Sequence, residues 1–172
     1  CYKAIKANDP DAFVWGMGGI TVIANYYDWM EEYLKKGGGE SCDGFDIHPY
    51  APTQPAEYSY EIALKSQEMF EKYGYGDMPV IYSEIGYTSN GITDEQQRNY
   101  VIELSAMVND LTDVIVWHTD QELENDTPAE IKFGGLRSWT PEIVAPKEPY
   151  SPKPVFIAAA NWNRLMTGAT DS

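Results

Sequence analysis

Glu84 is the residue in this chain best placed to do chemistry. It closes the stretch Met78-Pro-Val-Ile-Tyr-Ser-Glu-Ile-Gly86, in which Pro79 suits the first position of a strand, Val80 to Tyr82 favour extended backbone, and Gly86 allows a sharp turn. The spacing predicts a strand over 79–83 that delivers one carboxylate at its carboxyl end. In sheets of parallel strands this is the end where substrates bind. From spacing alone, the same carboxylate could equally cap a loop or pair with a lysine. A second polar cluster, His48-Pro49-Tyr50, ends another apolar stretch, and Trp117 is the last large residue of a third. His48, His118 and Asp46 are metal-ligand types, but their spacing fits no closed ligand set. The acidic run Asp120 to Asp126 lacks the alternation and glycine of a calcium loop and reads as a solvated surface loop. Neither a GxGxxG nor a Walker pattern occurs, so no cofactor is expected.

Four strands and five helices are needed to position these residues. A helix is expected over 2–8, with Tyr2, Ile5 and Ala4 on one face, stopped by Asp9-Pro10. A strand over 12–17 follows, closed by Gly18-Gly19, and then a helix over 26–36 with Trp29, Met30, Tyr33 and Leu34 at helical spacing. Lys35-Lys36 before Gly37 is a C-terminal signal. The second strand is expected over 42–48, and a third helix over 59–73 with Ile62, Ala63, Met69 and Phe70 among its apolar positions. Thr93 and Gln96 form a capping box for a helix that buries Val101, Leu104 and Val108. The fourth strand is expected over 113–118, a long loop over 119–150, and a last helix over 153–165 before Gly168. Apolar strands alternating with amphipathic helices predict an α/β fold with a parallel sheet covered by helices.

The size and charge narrow the partners. At 172 residues and 43% hydrophobic, the chain is long enough for one domain with a buried core. A net charge of −15 with only three arginines, Arg98, Arg137 and Arg164, argues against nucleic acid and other strongly anionic partners. There is no run of about 18 apolar residues to span a membrane. Thirteen tyrosines and five tryptophans suit either a core or a surface on which sugar rings stack. Cys1 and Cys42 form neither a disulfide framework nor a metal spacing, which leaves the compartment open, a secreted or periplasmic one included. The first residue is Cys1, not methionine, as in a processed, trimmed or partial product.

Taken together, Asp43-Gly-Phe-Asp-Ile-His-Pro-Tyr50, Pro79-Val-Ile-Tyr-Ser-Glu-Ile-Gly86, Val114-Ile-Val-Trp117, Phe133-Gly-Gly-Leu136 and Ser151-Pro-Lys-Pro-Val155 resemble, in order, the C-terminal half of the (β/α)8-barrel glycoside hydrolases that use two glutamates, the clan A enzymes of the family 39 and family 5 kind. The resemblance spans residues 1–172 as barrel strands five to eight, a (β/α)4 half of a TIM barrel. It implies that Glu84 is the nucleophile of a retaining β-glycosidase on neutral sugars. By the same resemblance His48 and Tyr50 line the site, the tyrosine orienting the nucleophile, and Trp117 is the aromatic floor under the sugar.

The chain departs from the family at one point: no Asn-Glu pair closes a strand, so the acid/base glutamate is missing. A retaining mechanism needs two carboxyl groups roughly 5–5.5 Å apart. A half barrel also leaves two strand edges to cover, which predicts either a homodimer or a complementary N-terminal half-barrel as partner. In a closed homodimer, Asp120 or Glu122 of the second copy would face Glu84. The competing expectation is a non-catalytic half barrel that self-assembles and at most binds carbohydrate.

Overall fold

The computed structural model describes residues 1–21, 25–119, 134 and 152–166, the side chains of 19–21 excepted. Their element order is α1 (Tyr2–Asn8), β1 (Trp15–Thr21), α2 (Tyr26–Lys35), β2 (Gly44–His48), α3 (Ala56–Lys72), β3 (Val80–Ile85), α4 (Asp94–Val108), β4 (Val114–Trp117) and α5 (Pro154–Met166), with a short 3-10 turn at Gly38–Ser41. The strands form one parallel sheet in the order β1-β2-β3-β4, and the sheet is not closed. Consecutive strands are therefore neighbours, each reached through a helix. This is the α/β architecture that the alternation of elements predicts. No helix among the described residues is long and apolar enough to cross a membrane.

The described residues fall into two compact units. The first comprises Cys1–Tyr50, Ser59–Ile85 and Val108–Val116. Its core is built on β2 and β3, where Phe45, Ile47, Val80 and Tyr82 are each at most 5% exposed. The Phe45 ring stacks on Phe70 of α3 at 4.1 Å between centroids, and the edge of Tyr75 closes the far side. Gly44 has no room for a side chain, because a Cβ there would lie 2.5 Å from the Trp15 ring and 2.7 Å from the Pro79 carbonyl oxygen. Helices α2 and α3 are joined by the buried Tyr26–Ser66 hydroxyl pair and, toward the surface, by Glu31, which accepts from Lys72 Nζ and Tyr73 Oη, both at 2.7 Å. These contacts hold the carboxylate of Glu31 down at about 2, the Lys72 hydrogen bond being the main cause.

The second unit contains Ala51–Tyr58, Gly86–Met107 and α5. Thr93 and Gln96 form the expected capping box, each side chain bonding the other's backbone N–H at 3.1 and 2.9 Å. Val101 and Leu104 are buried on α4, and Tyr100 stacks on Tyr87 at 3.8 Å. Lys153, just before α5, is fully buried, donates to Ser89 Oγ at 3.1 Å and lies 3.9 Å from the Asp94 carboxylate.

Several boundaries depart from the sequence reading. Strand β1 runs over Trp15–Thr21, not 12–17, so Gly18-Gly19 does not close it. The glycines permit a bulge instead: Gly16 pairs with Phe45 and Ile20 with Ile47, leaving three β1 residues opposite one on β2, with positive φ at Met17 and Gly18. Helix α3 begins at Ala56, three residues early, directly after Pro55. Strand β3 extends to Ile85, which places Glu84 inside the strand as its penultimate residue. Helix α1 has no buried residue, and Ile5 is exposed. Polar contacts anchor it in place of an apolar face: Tyr2 Oη donates to Asp43 Oδ1 at 2.9 Å, and Lys6 pairs with Asp43 Oδ2 at 2.9 Å. The expected loop over 119–150 lies outside the described residues apart from Thr119 and Gly134, as does Gly168.

Candidate active site

The site is assembled by the register of two adjacent strands. Phe45 pairs with Val80 and Asp46 with Ile81, so two residues further on His48 comes level with Ser83. Side chains alternate across a strand. Phe45 and Ile47 point into the helix-covered core, which sends Asp46 and His48 to the opposite face. On that face Ser83 Oγ donates to Asp46 Oδ2 at 2.7 Å, Ser83 N–H donates to Asp46 Oδ1 at 3.2 Å, and His48 Nε2 lies 2.9 Å from Ser83 Oγ.

Just beyond β2, Tyr50 donates its phenol proton to Glu84 Oε1 at 2.7 Å. An ionised carboxylate can only accept, so the direction of this bond is fixed. The burial pattern of β3 explains how Glu84 becomes available. Buried and half-buried positions alternate from Val80 to Ser83, then Ser83 and Glu84 are both half-buried in succession. This break in alternation leaves Glu84 half-buried where strict alternation would bury it, just where the strand ends. The Tyr50 ring meets the His48 ring edge-on, at 6.1 Å and 85°.

Of the residues singled out from sequence, Glu84, Tyr50 and His48 thus come together on β2 and β3. Trp117 is the last residue of β4 and is half-buried. Asp120 and Glu122 lie outside the described residues, as does the acidic run to Asp126. Among the described residues no group of three or more His, Cys, Asp or Glu side chains is arranged to hold a metal ion, and Asp46, His48 and His118 form no such group. Both cysteines are free thiols, with Cys1 exposed and Cys42 buried, and burial pushes the Cys42 thiol above its ordinary range.

Sequence reasoning missed Ser83 altogether and weighed Asp46 only as a metal ligand. The signal was present: Asp46 and His48 are spaced by two in an otherwise apolar strand, which marks one polar face, and Ser83 is the polar residue just before Glu84.

Chemically, the arrangement offers a half-buried carboxylate that accepts a phenol hydrogen bond, on the strand next to one that ends in a hydrogen-bonded imidazole. Such a carboxylate can act as a nucleophile, or as a proton acceptor for a bound hydroxyl.

No protein-family model matches this chain, and no curated protein sequence matches it. Solved structures do. A family 39 glycoside hydrolase from the gut symbiont Bacteroides cellulosilyticus is 24% identical with a TM-score of 0.68, over 92% of this chain and 35% of that one. A monomeric beta-xylosidase from Caulobacter crescentus is 18% identical with a TM-score of 0.66, over 94% of this chain and 35% of that one. GH5_18 from Bifidobacterium longum subsp. longum is 14% identical with a TM-score of 0.55, over 77% of this chain and 32% of that one. The chain spans about a third of the length of these structures. Its fold is that of part of the (β/α)8 barrel of family 39 and family 5 glycoside hydrolases, four parallel strands and their helices without closure.

Proposed function

We propose that this chain carries the nucleophile side of a retaining β-glycosidase site for neutral sugars, with Glu84 as nucleophile. The observation that carries the reading is the 2.7 Å hydrogen bond from Tyr50 to Glu84 at the carboxyl ends of two adjacent parallel strands. That end of such a sheet is where barrel enzymes bind substrate, and the likeness to glycoside hydrolases gives the carboxylate a reaction. In the first step Glu84 attacks the anomeric carbon, the glycosidic C–O bond breaks, and the leaving oxygen takes the electron pair and a proton from a general acid. In the second step water attacks the glycosyl ester, releasing Glu84 and giving its proton to the same group, now acting as base. Trp117 supplies the apolar platform for the sugar ring. The acid/base is contributed from outside this set, by a complementary N-terminal half-barrel or by Asp120 or Glu122 of a second copy. The acidic chain and its few arginines favour neutral sugars over uronic acids.

The competing reading is a half barrel that binds sugar without cleaving it. Dinitrophenyl β-glycosides separate the two, because their leaving group departs without acid assistance. Where no second copy supplies a base, turnover stalls after the first step and the glycosyl enzyme accumulates; where one does, dinitrophenol is released continuously, and either result supports the glycosidase. Intact-mass and peptide mapping are expected to find one sugar on the peptide containing Glu84, and none in Glu84→Gln. Sugar binding with neither adduct nor dinitrophenol release across a panel of neutral β-glycosides would favour the binding module, and the absence of binding, adduct and release would sink both.

A further inference from the structure

Ser83 sits between a carboxylate and an imidazole, and its single hydroxyl proton can go to only one of them. We propose that Asp46 and Ser83 are positioning residues that fix the protonation pattern of His48, so that its neutral ring carries the proton on Nε2 and keeps Nδ1 as an acceptor. Asp46 receives both the Ser83 hydroxyl, at 2.7 Å, and the Ser83 N–H, at 3.2 Å. An ionised carboxylate has no proton to give, and a hydroxyl bond to it is of the stronger, charge-assisted kind. The Ser83 proton therefore belongs to Asp46. What Oγ offers His48, 2.9 Å away, is a lone pair, and Nε2 must supply the proton. A neutral imidazole holds one proton, so Nδ1 is left bare. The chain of donation runs from Nε2–H to Oγ and from Oγ–H to Oδ2.

This order is the reverse of a hydrolytic triad. There the imidazole takes the serine proton and the carboxylate stands behind the imidazole. Here the carboxylate holds the serine proton and the imidazole donates, so Ser83 is an orienting group and not a nucleophile. For the ligand the consequence is selective, and it rests on the reading of the β2 and β3 ends as a sugar site. A bare Nδ1 accepts from a hydroxyl and repels a carboxylate or carbonyl oxygen, which matches a neutral polyol and not an acidic sugar.

The tautomer is read directly from two-bond proton–nitrogen correlations of the imidazole rings in the 15N-labelled protein, at about pH 8, where an ordinary histidine is neutral. The chain has two histidines, and the signals lost in His48→Gln identify the relevant one. The expected pattern is Nε2–H for His48. Asp46→Asn should reverse the relay: the amide nitrogen donates to Oγ, Ser83 then donates to His48, and the ring switches to Nδ1–H. Ser83→Ala should release the ring into a mixture of both tautomers, and it provides the decisive arm if the Asn variant fails to fold. An Nδ1–H ring in the unaltered protein, or an unchanged tautomer in a folded Asp46→Asn or Ser83→Ala variant, overturns the proposal. This readout does not depend on bond cleavage. The expected tautomers with neither adduct on Glu84 nor dinitrophenol release would keep the relay and discard the glycosidase, while an adduct with the wrong tautomer would do the opposite.

Discussion

Removing one oxygen atom, Tyr50→Phe, tests whether the phenol orients Glu84 or merely packs beside it. The bond is short, at 2.7 Å, and its acceptor is a carboxylate, so it belongs to the class worth about 1.5–3 kcal/mol. Both residues are half-buried, and water entering the space left by the hydroxyl recovers part of that. The lower part of the range, about 1.5–2 kcal/mol, applies and corresponds to a loss of about 10- to 30-fold in rate. The phenylalanine ring keeps the edge-on contact with His48, so folding stability should fall by no more than the bond itself contributes, about 1.5–2 kcal/mol. The assay is the rate at which a dinitrophenyl β-glycoside labels Glu84, followed by intact mass, beside a thermal melt of the same sample. Glu84→Gln is the blank, since it keeps an acceptor for the phenol and removes the nucleophile. Labelling within about twofold of the unaltered protein would refute the orienting role. A melt lowered by many degrees with labelling unchanged would assign the phenol to folding instead.

Four further outcomes follow from contacts away from the carboxylate. Phe45→Ala empties the space between Phe70 and Tyr75 and should cost about 3–5 kcal/mol in chemical denaturation of the first unit. Gly44→Ala drives a methyl group into the Trp15 ring and the Pro79 carbonyl and should cost about 1–3 kcal/mol by the same measurement. Thr93→Ala removes one arm of the α4 capping box and should lower stability by about 1 kcal/mol, read as a shift in the denaturation midpoint without a change in slope. Glu31 has a folded-state pKa below its ordinary 4.5, so its contribution is full above that value and disappears as the pH falls toward about 2. Relative to Glu31→Gln, the unaltered protein should therefore be more stable at pH 6, with the difference shrinking between about pH 4.5 and 2 in acid unfolding curves.

The parallel sheet was legible because its strands are short apolar runs between amphipathic helices, a pattern that survives errors of several residues at each boundary. Those errors have physical causes. Gly18-Gly19 reads as a stop, yet glycine at positive φ is also what a bulge requires, and only the pairing of Gly16 and Ile20 with β2 tells the two apart. Tyr2 and Ile5 read as an apolar face, but the helix is too short for burial to hold it. The aspartate opposite Lys6 is 37 residues away in sequence and invisible to periodicity. Conversely, the capping box of α4 is a purely local device, and it was read correctly to the residue.

The same division between local and distant runs through the site. Glu84, His48 and Tyr50 could be named because each follows an apolar stretch and resembles a known motif, but their meeting depends on register. A slip of one residue between β2 and β3 would turn Asp46 and His48 onto the core face and separate them from Ser83. In the proposed reading, the nucleophile side rests on two hydrogen-bonded neighbours: β2 and the residues just after it would supply the imidazole and the phenol, and β3 the carboxylate and the serine that orients the imidazole. An acid/base about 5–5.5 Å from Glu84 has to arrive from another strand end, and among barrel strands that is a matter of closure, not of pairing. The two carboxylates of such a mechanism thus make different demands on the fold. The oriented nucleophile needs one pair of adjacent strands, while full turnover needs a closed ring. Labelling of Glu84 that persists while hydrolysis waits for a complementing half is the behaviour this division of labour predicts.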